Sequence, residues 1–195
     1  MVLLSFSLFL NMDWLDMLDV WYNRQTEKKN VLVYPKPLFP YVVEKLKGKS
    51  DIAYISIEAT PECAKYYLEP EHDDYDNEHY LEDGPNVFNV NFDDLGEDRE
   101  YKGHIFRTIT QEQADDMVDF IEKNLGKHFI VHCKAGASRS QAVHRFILDM
   151  YPDQYEKCPE NLENPCETPN MEVVRKLKIA WRNRHGGSAF GEITG

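Results

Sequence analysis

The sequence predicts an α/β fold with a central, mostly parallel sheet of about four to five strands flanked by helices. Short apolar runs of strand length alternate along the chain with segments whose apolar residues recur at helical spacing. The run at 51–59 is apolar on both of its faces, which is typical of a strand buried within a parallel sheet. Another strand, near residue 130, ends at a short glycine-containing loop that leads directly into a helix.

Each element is predicted from its apolar pattern and its boundary residues. Strands are expected at 30–34, 51–59, 86–94 and 129–131. Helices are expected at 37–47, 110–126, 140–151 and 170–184. The clearest helix begins at Thr110, which forms a capping box with Gln113. Asn170 is expected to cap the last helix, and the polar segments 61–84, 95–107 and 154–168 are expected to be irregular connections.

The length of 195 residues suits one domain. We expect an N-terminal extension at 1–29 that packs on or precedes the core, a single domain at 30–184 and a flexible tail at 185–195. The apolar start of the chain lacks the basic residues and the cleavage site of an export signal, and it is too short to span a bilayer.

Charge and cysteine content restrict the classes of partner. A formal net charge of -12 repels polyanions, so neither a nucleic acid nor a membrane surface is expected as a partner. The four cysteines form no C-x-x-C pair, which favours a reducing, cytoplasmic setting. The acidic stretch 69–83 contains His72 and His79, but their spacing favours an exposed acidic loop over a metal site. We therefore expect no metal and no cofactor.

The chemistry is concentrated in residues 132–140, which read His-Cys-Lys-Ala-Gly-Ala-Ser-Arg-Ser. A strand, a tight loop and a helix start would aim several backbone N–H groups at one point, at the positive end of a helix dipole. This field should lower the pKa of Cys133 from about 8.5 into the range of roughly 3.5–7.5 that is seen at helix N-termini. Arg139 can grip phosphate oxygens in a bidentate manner, so sulfur attack on phosphorus is indicated.

Every residue of this segment receives an expected role. Ser140 is expected to hydrogen-bond the sulfur of Cys133, and His132 to orient the loop rather than act as a base. The residues between the nucleophile and the arginine are expected to bind phosphate through their backbone: Lys134, Ala135, Gly136, Ala137 and Ser138.

The pattern His132-Cys133-x5-Arg139-Ser140 resembles the active-site loop of the cysteine-based protein tyrosine phosphatase superfamily. The fuller string resembles its dual-specificity branch, as in small atypical, microbial or phage enzymes, and residues 28–184 fit that family's order of elements. The resemblance implies a phosphocysteine intermediate. It also implies a phosphorylated protein as substrate, with phosphotyrosine and also phosphoserine or phosphothreonine as the hydrolysed residues.

The resemblance further implies a general acid, an aspartate on a loop after an upstream strand. Asp94 continues the register of Val90 and Phe92 and is preferred, and its neighbour Asp93 is the alternative. The spacing from Asp94 to Cys133 is longer than the family commonly shows, so an enlarged loop is expected at 95–109.

Three other functions stay open at this point. The same loop could belong to a non-catalytic phosphate-binding module, or to a phosphatase of phosphoinositides or other small phosphomonoesters, for which Lys134 is suggestive. A thiol reductase or sulfur transferase would need a second thiol, such as Cys158, close to Cys133.

Arg107 and Arg145 are candidates for the mouth of the site.

Overall fold

The computed structural model describes residues 14–24, 27–67, 78–158 and 168–186. Five parallel strands form the main sheet, in the order β3-β2-β6-β1-β7. Their bounds are β1 Lys29–Pro35, β2 Ile52–Glu58, β3 Val87–Asn91, β6 His128–Cys133 and β7 Tyr155–Glu156. A separate antiparallel hairpin consists of β4 Arg99–Tyr101 and β5 His104–Phe106. The expected α/β fold with a parallel sheet is confirmed.

Helices cover both faces of this sheet. They are α1 Trp14–Asn23, α2 Phe39–Lys45, α3 Pro61–Tyr67, α4 Gln111–Lys123, α5 Arg139–Met150 and α6 Met171–His185, with a short 3-10 helix at Lys36–Leu38 before α2. Among the described helices, none is long and apolar enough to cross a membrane.

Strand alternation divides the core into two clusters. In β1, Val31 and Val33 face the cluster that α4, α5 and α6 complete, whereas Leu32 and Tyr34 face the cluster that α1 and α2 complete. Each fully buried large apolar side chain contributes about 1.5–3 kcal/mol relative to exposure. Leu18 and Trp21 bring α1 into the second cluster, so the described part of the expected extension packs on the core.

The helix ends follow their capping chemistry. Thr110 and Gln113 form the expected capping box at the start of α4. The Asn170 side chain accepts hydrogen bonds from the N–H groups of Glu172 and Val173, so it caps α6 as expected.

The expected irregular connections were partly wrong. The first part of 61–84 is a helix, α3, and Pro61 occupies its first turn, where a missing N–H costs nothing. The supposed loop at 95–107 contains the β4–β5 hairpin, which turns at Lys102 and Gly103, both with positive φ (49° and 79°). Residues 68–77, which include His72, and 159–167 lie outside the described part. Tyr155–Glu156, expected to be loop, adds a short edge strand.

Candidate active site

The site lies at the carboxyl end of β6, between the ends of two neighbouring strands. Pro35 of β1 is aligned with Cys133, and Ser56 of β2 is aligned with His132. Because the strands are parallel, the residues that end β1 and β2 meet the loop after β6 at one edge of the sheet. The loop at 134–138 then leads into α5, as the sequence predicts.

The backbone carbonyls of the 134–138 loop are hydrogen-bonded to residues on either side of it along the chain. Four of its carbonyls accept hydrogen bonds: Lys134 O from Lys36 N (3.1 Å), Gly136 O from Gln141 Nε2 (3.4 Å), Ala137 O from Thr168 N (3.1 Å) and Ser138 O from Asn170 N (3.2 Å). No described peptide bond is cis. In a trans peptide the C=O and the next N–H point in opposite directions. The N–H groups of residues 135, 137, 138 and 139 therefore point towards the inside of the loop.

Gly136 makes this curvature possible. Its φ of 66° lies in the left-handed region, which residues with a Cβ adopt only at a cost. A run of inward N–H groups around such a turn is a typical anion-binding concavity.

Cys133 sits at the base of this concavity. Its side chain is buried, and its Sγ lies 3.1 Å from the Oγ of Ser140, which is itself fully buried in the first turn of α5. The contact expected between these residues is present. A hydroxyl at this distance can stabilise a thiolate by donating a hydrogen bond to it.

Arg139 is anchored and yet incompletely bonded. It is only 6% exposed, and its Nη1 donates to the carbonyls of Glu58 (3.0 Å) and Phe92 (2.8 Å). Its buried Nε has no hydrogen-bond partner among the described residues. An unpaired charged donor is costly to bury, and a bound anion beside the loop would satisfy it.

The start of α5 is left open by its own capping residue. Ser138 occupies the N-cap position but makes no side-chain cap, because its hydroxyl donates instead to Asp94 Oδ1 (2.8 Å). The positive end of the α5 dipole therefore faces the concavity without a side-chain acceptor in front of it.

The two adjacent aspartates have different surroundings. Asp93 is buried, and its carboxylate accepts hydrogen bonds from Thr60 N (2.9 Å), Thr60 Oγ1 (2.8 Å) and Arg107 N (2.8 Å). Asp94 is exposed and reaches the 134–138 loop through Ser138. Asp93 thus fastens the segment, while the exposed Asp94 accepts a hydrogen bond from the 134–138 loop.

His132 is buried and neutral. Burial, assisted by the positive charge of Lys36, lowers its pKa to about 3. Its Nε2 lies 2.7 Å from Ser56 Oγ, and the centroid of its ring lies 3.9 Å from that of the Phe39 ring. A neutral, doubly fixed imidazole suits the expected orienting role and not proton transfer to bulk water.

Behind His132 lies a polar chain that the sequence did not reveal. Ser56 Oγ also contacts His79 Nδ1 (2.6 Å), and His79 Nε2 contacts Asn91 Oδ1 (3.0 Å). The one signal for it was Ser56, a hydroxyl within an otherwise apolar strand.

A buried ion pair also adjoins the site. Glu58 is 3% exposed, and its Oε1 lies 3.1 Å from Lys36 Nζ. Burial raises the pKa of the Glu58 carboxyl, and the charge of Lys36 opposes that rise. A carboxylate that ends an apolar strand was the available signal, but its closeness to Arg139 depends on the strand order.

Three other expected residues have exposed side chains. Arg107 is exposed and pairs with Asp98 (3.2 Å), and Arg145 is exposed and lies 3.8 Å from Asp149. Lys134 is exposed on the loop itself. Within the described ranges, no cluster of His, Cys, Asp or Glu could hold a metal ion.

Among the described residues, the two other cysteines do not form a dithiol site with Cys133. Cys158 packs in the α1–α2 cluster, on the sheet face opposite to the cluster of Cys133. Cys63 is a free thiol beside Asp93, and burial followed by the Asp93 charge raises its pKa to about 12. Both thiols are buried, which does not suit a reactive redox thiol.

No protein-family model matches this chain, and no curated protein matches it either.

Proposed function

We propose that the protein is a cysteine-dependent phosphomonoester hydrolase that works through a phosphocysteine intermediate. One observation carries the proposal: the buried Cys133 thiol, 3.1 Å from Ser140 Oγ, ends β6 just before a loop whose carbonyls are hydrogen-bonded to other groups, and the buried Arg139 at the start of α5 has an Nε without a partner among the described residues. These groups suit a tetrahedral dianion next to a sulfur nucleophile.

In the first step the Cys133 thiolate attacks phosphorus. A sulfur–phosphorus bond forms while the bond from phosphorus to the ester oxygen breaks. The loop amides and Arg139 stabilise the equatorial oxygens, and Asp94 donates its proton to the leaving oxygen. Both donors to Asp94, Ser138 Oγ and Asn170 Nδ2, contact its Oδ1, so the transferred proton belongs on Oδ2.

In the second step water hydrolyses the phosphocysteine. Asp94, now ionised, accepts a proton from water as the oxygen attacks phosphorus and the sulfur–phosphorus bond breaks. Ser140 donates a hydrogen bond to the departing thiolate. The sum of the steps is a monoester plus water giving an alcohol plus inorganic phosphate, and no metal or cofactor is part of it.

For the substrate we propose a phosphorylated protein, with phosphotyrosine first and phosphoserine or phosphothreonine also hydrolysed. The resemblance of residues 132–140 to the dual-specificity branch of the tyrosine phosphatase superfamily supports this class. The net charge of -12 disfavours nucleic acid as a partner. The free thiols of Cys63 and Cys133 suit a reducing cytoplasm, where we propose that the protein acts.

The experiment is turnover of para-nitrophenyl phosphate by the wild type and by Cys133→Ser. We expect the variant to lose at least about a thousandfold in kcat/KM, since removing a covalent nucleophile removes the pathway and not one contact. The buried Ser hydroxyl keeps the volume, so the urea midpoint should change little. Substantial residual turnover by the variant would contradict the proposal. Binding of inorganic phosphate by an inactive wild type would indicate a phosphate-binding module instead.

A further inference from the structure

Asn170 joins three parts of the molecule that meet at the proposed site. Its Nδ2 donates to Asp94 Oδ1 (2.8 Å) and to the carbonyl of Leu95 (3.1 Å). Its backbone N–H donates to the carbonyl of Ser138 on the 134–138 loop (3.2 Å). Its Oδ1 accepts from the first turn of α6.

The orientation of the Asn170 amide is fixed by these contacts. Oδ1 accepts from the N–H groups of Glu172 (3.0 Å) and Val173 (3.2 Å), so the oxygen must face α6. The NH2 group then faces Asp94 and Leu95, where both of its hydrogens are used. The side chain at this position must offer an acceptor to α6 and two donors to Asp94 and Leu95. Only an amide of the length of asparagine meets both needs.

The helix behind Asn170 is firmly held. Val173, Val174, Leu177 and Ala180 bury one face of α6 in the core, against α4 and α5. On the other side of Asn170, the Thr168 N–H and hydroxyl both donate to the carbonyl of Ala137 (3.1 and 3.2 Å). Because α6 is held in the core, the hydrogen bond from Asn170 fixes the carboxylate of Asp94 relative to this helix.

We infer that Asn170 is a positioning residue for the general acid, holding Asp94 over the 134–138 loop so that its proton reaches the leaving oxygen. This inference rests on the proposed function, because it assigns Asn170 a part in the same reaction. Capping of α6 alone would not require the two donors that face Asp94 and Leu95.

The test compares two substrates that differ in their need for an acid. Phenyl phosphate has a poor leaving group and needs protonation, whereas 2,4-dinitrophenyl phosphate departs without it. Asn170→Ser keeps a good N-cap but is too short to reach Asp94 and Leu95. We expect its kcat/KM for phenyl phosphate to fall at least about tenfold, with a change of less than about threefold for the dinitrophenyl ester.

Two further variants make the result specific. Asp94→Asn should show the same dependence on leaving group, and the double variant should lose nothing more, because both changes remove one step. Thr110→Ala removes the cap of α4, and within the described residues Thr110 hydrogen-bonds with Gln113 and with Ala114, not with Asp94 or the 134–138 loop. It should lower the urea midpoint, because a cap is lost, and affect both substrates equally.

Asn170→Asp serves if the serine variant folds poorly, since aspartate is an equally good N-cap. It places an oxygen against Asp94 Oδ1, so we expect the same selective loss on phenyl phosphate. Equal losses on both substrates in a folded variant, or a further loss in the double variant, would overturn the inference while leaving the phosphatase chemistry intact. A wild type that hydrolyses neither ester would overturn the proposed function, and this inference with it.

Discussion

Strand β6 begins at His128 and has His132 next to its end, and these two histidines have much in common. Both are buried, and burial lowers the pKa of His128 to about 4 and that of His132 to about 3. They lie near opposite ends of the same strand, and only the carboxyl end adjoins the candidate site.

At the amino end the polar groups satisfy one another. The Asn30 N–H donates to His128 Nδ1 (3.1 Å), and His128 Nε2 lies 3.4 Å from Lys29 Nζ. The Asn30 side chain accepts from Trp21 Nε1 (2.9 Å) and donates to the carbonyl of Glu156 (3.1 Å). The Lys29 ammonium pairs with Asp51 (3.1 Å). These partners give the end a structural role.

At the carboxyl end the hydrogen bonding of the described buried groups is incomplete. The Nε of Arg139 is buried and unpaired among the described residues, and the loop carbonyls turn outward so that the N–H groups turn inward. A buried histidine with a lowered pKa therefore does not mark a functional site in this molecule. The two ends differ in the buried Nε of Arg139, which has no acceptor among the described residues and which a bound anion would satisfy.

The largest expected difference between the two ends comes from exchanging their cations. Arg139→Lys keeps the charge but loses the planar fork, so we expect kcat/KM for para-nitrophenyl phosphate to fall at least about a hundredfold. Lys29→Arg at the amino end should leave kcat/KM within about twofold, since surface ion pairs tolerate this exchange. Rates are to be expressed per folded molecule. Similar losses in the two variants would break the comparison.

A smaller effect is expected from removing the acceptor at the amino end. His128→Phe keeps a ring beside Trp21 but leaves the Asn30 N–H without its partner, at a cost of about 1–3 kcal/mol in the free energy of unfolding. Urea unfolding at pH 7.5 measures this cost. Turnover by the folded variant should match the wild type, and a large drop in kcat would mean that the amino end also serves the reaction.

An effect of similar size is expected in the pH dependence of the free energy of unfolding of the wild type. The pKa of His128 is lowered from 6.5 to about 4, first by burial and then by Lys29, so the unfolded chain takes up a proton that the folded chain refuses. The stabilisation is therefore complete above pH 6.5 and is lost as the pH falls towards 4. Between pH 7.5 and 5 the wild type should lose about 2 kcal/mol through this group.

The difference in the free energy of unfolding between the wild type and His128→Phe isolates the contribution of His128. The raised pKa of Glu58 acts in the opposite direction and His132 in the same direction, but both are present in the two proteins. We expect the stability gap between them to shrink at pH 5. A gap that stays constant from pH 7.5 to 5 would show that His128 does not resist protonation.

Local patterns predicted the parts of the molecule that local chemistry decides. The strand before Cys133, the helix after it, the capping box at Thr110 and the cap at Asn170 follow from apolar spacing and hydrogen-bonding side chains close in sequence. The alternation of strand 86–94 led to the preference for Asp94 as the general acid, which stays a prediction; the structure shows that Asp94 accepts a hydrogen bond from Ser138 of the 134–138 loop.

Distant contacts decided the rest. The Asp93 carboxylate accepts hydrogen bonds from Thr60 and Arg107, and no pattern near residue 93 reveals these contacts. The places of Glu58 and Lys36 beside the site depend on the strand order, which spacing does not specify. The β4–β5 hairpin was missed because its strands have three residues each, too few for a period to be recognised.

The most direct test of the central claim is to trap the covalent intermediate on Cys133. Asp94→Asn lacks the base of the second step, so mixing it with 2,4-dinitrophenyl phosphate and quenching in acid should accumulate phosphoenzyme. Mass spectrometry should then show the mass of one added phosphoryl group on the peptide that contains Cys133, and no such addition when Cys133→Ser is combined with Asp94→Asn. An active enzyme whose Cys133 peptide stays unmodified at every quench time, or a phosphoryl group found on another residue, would contradict the account.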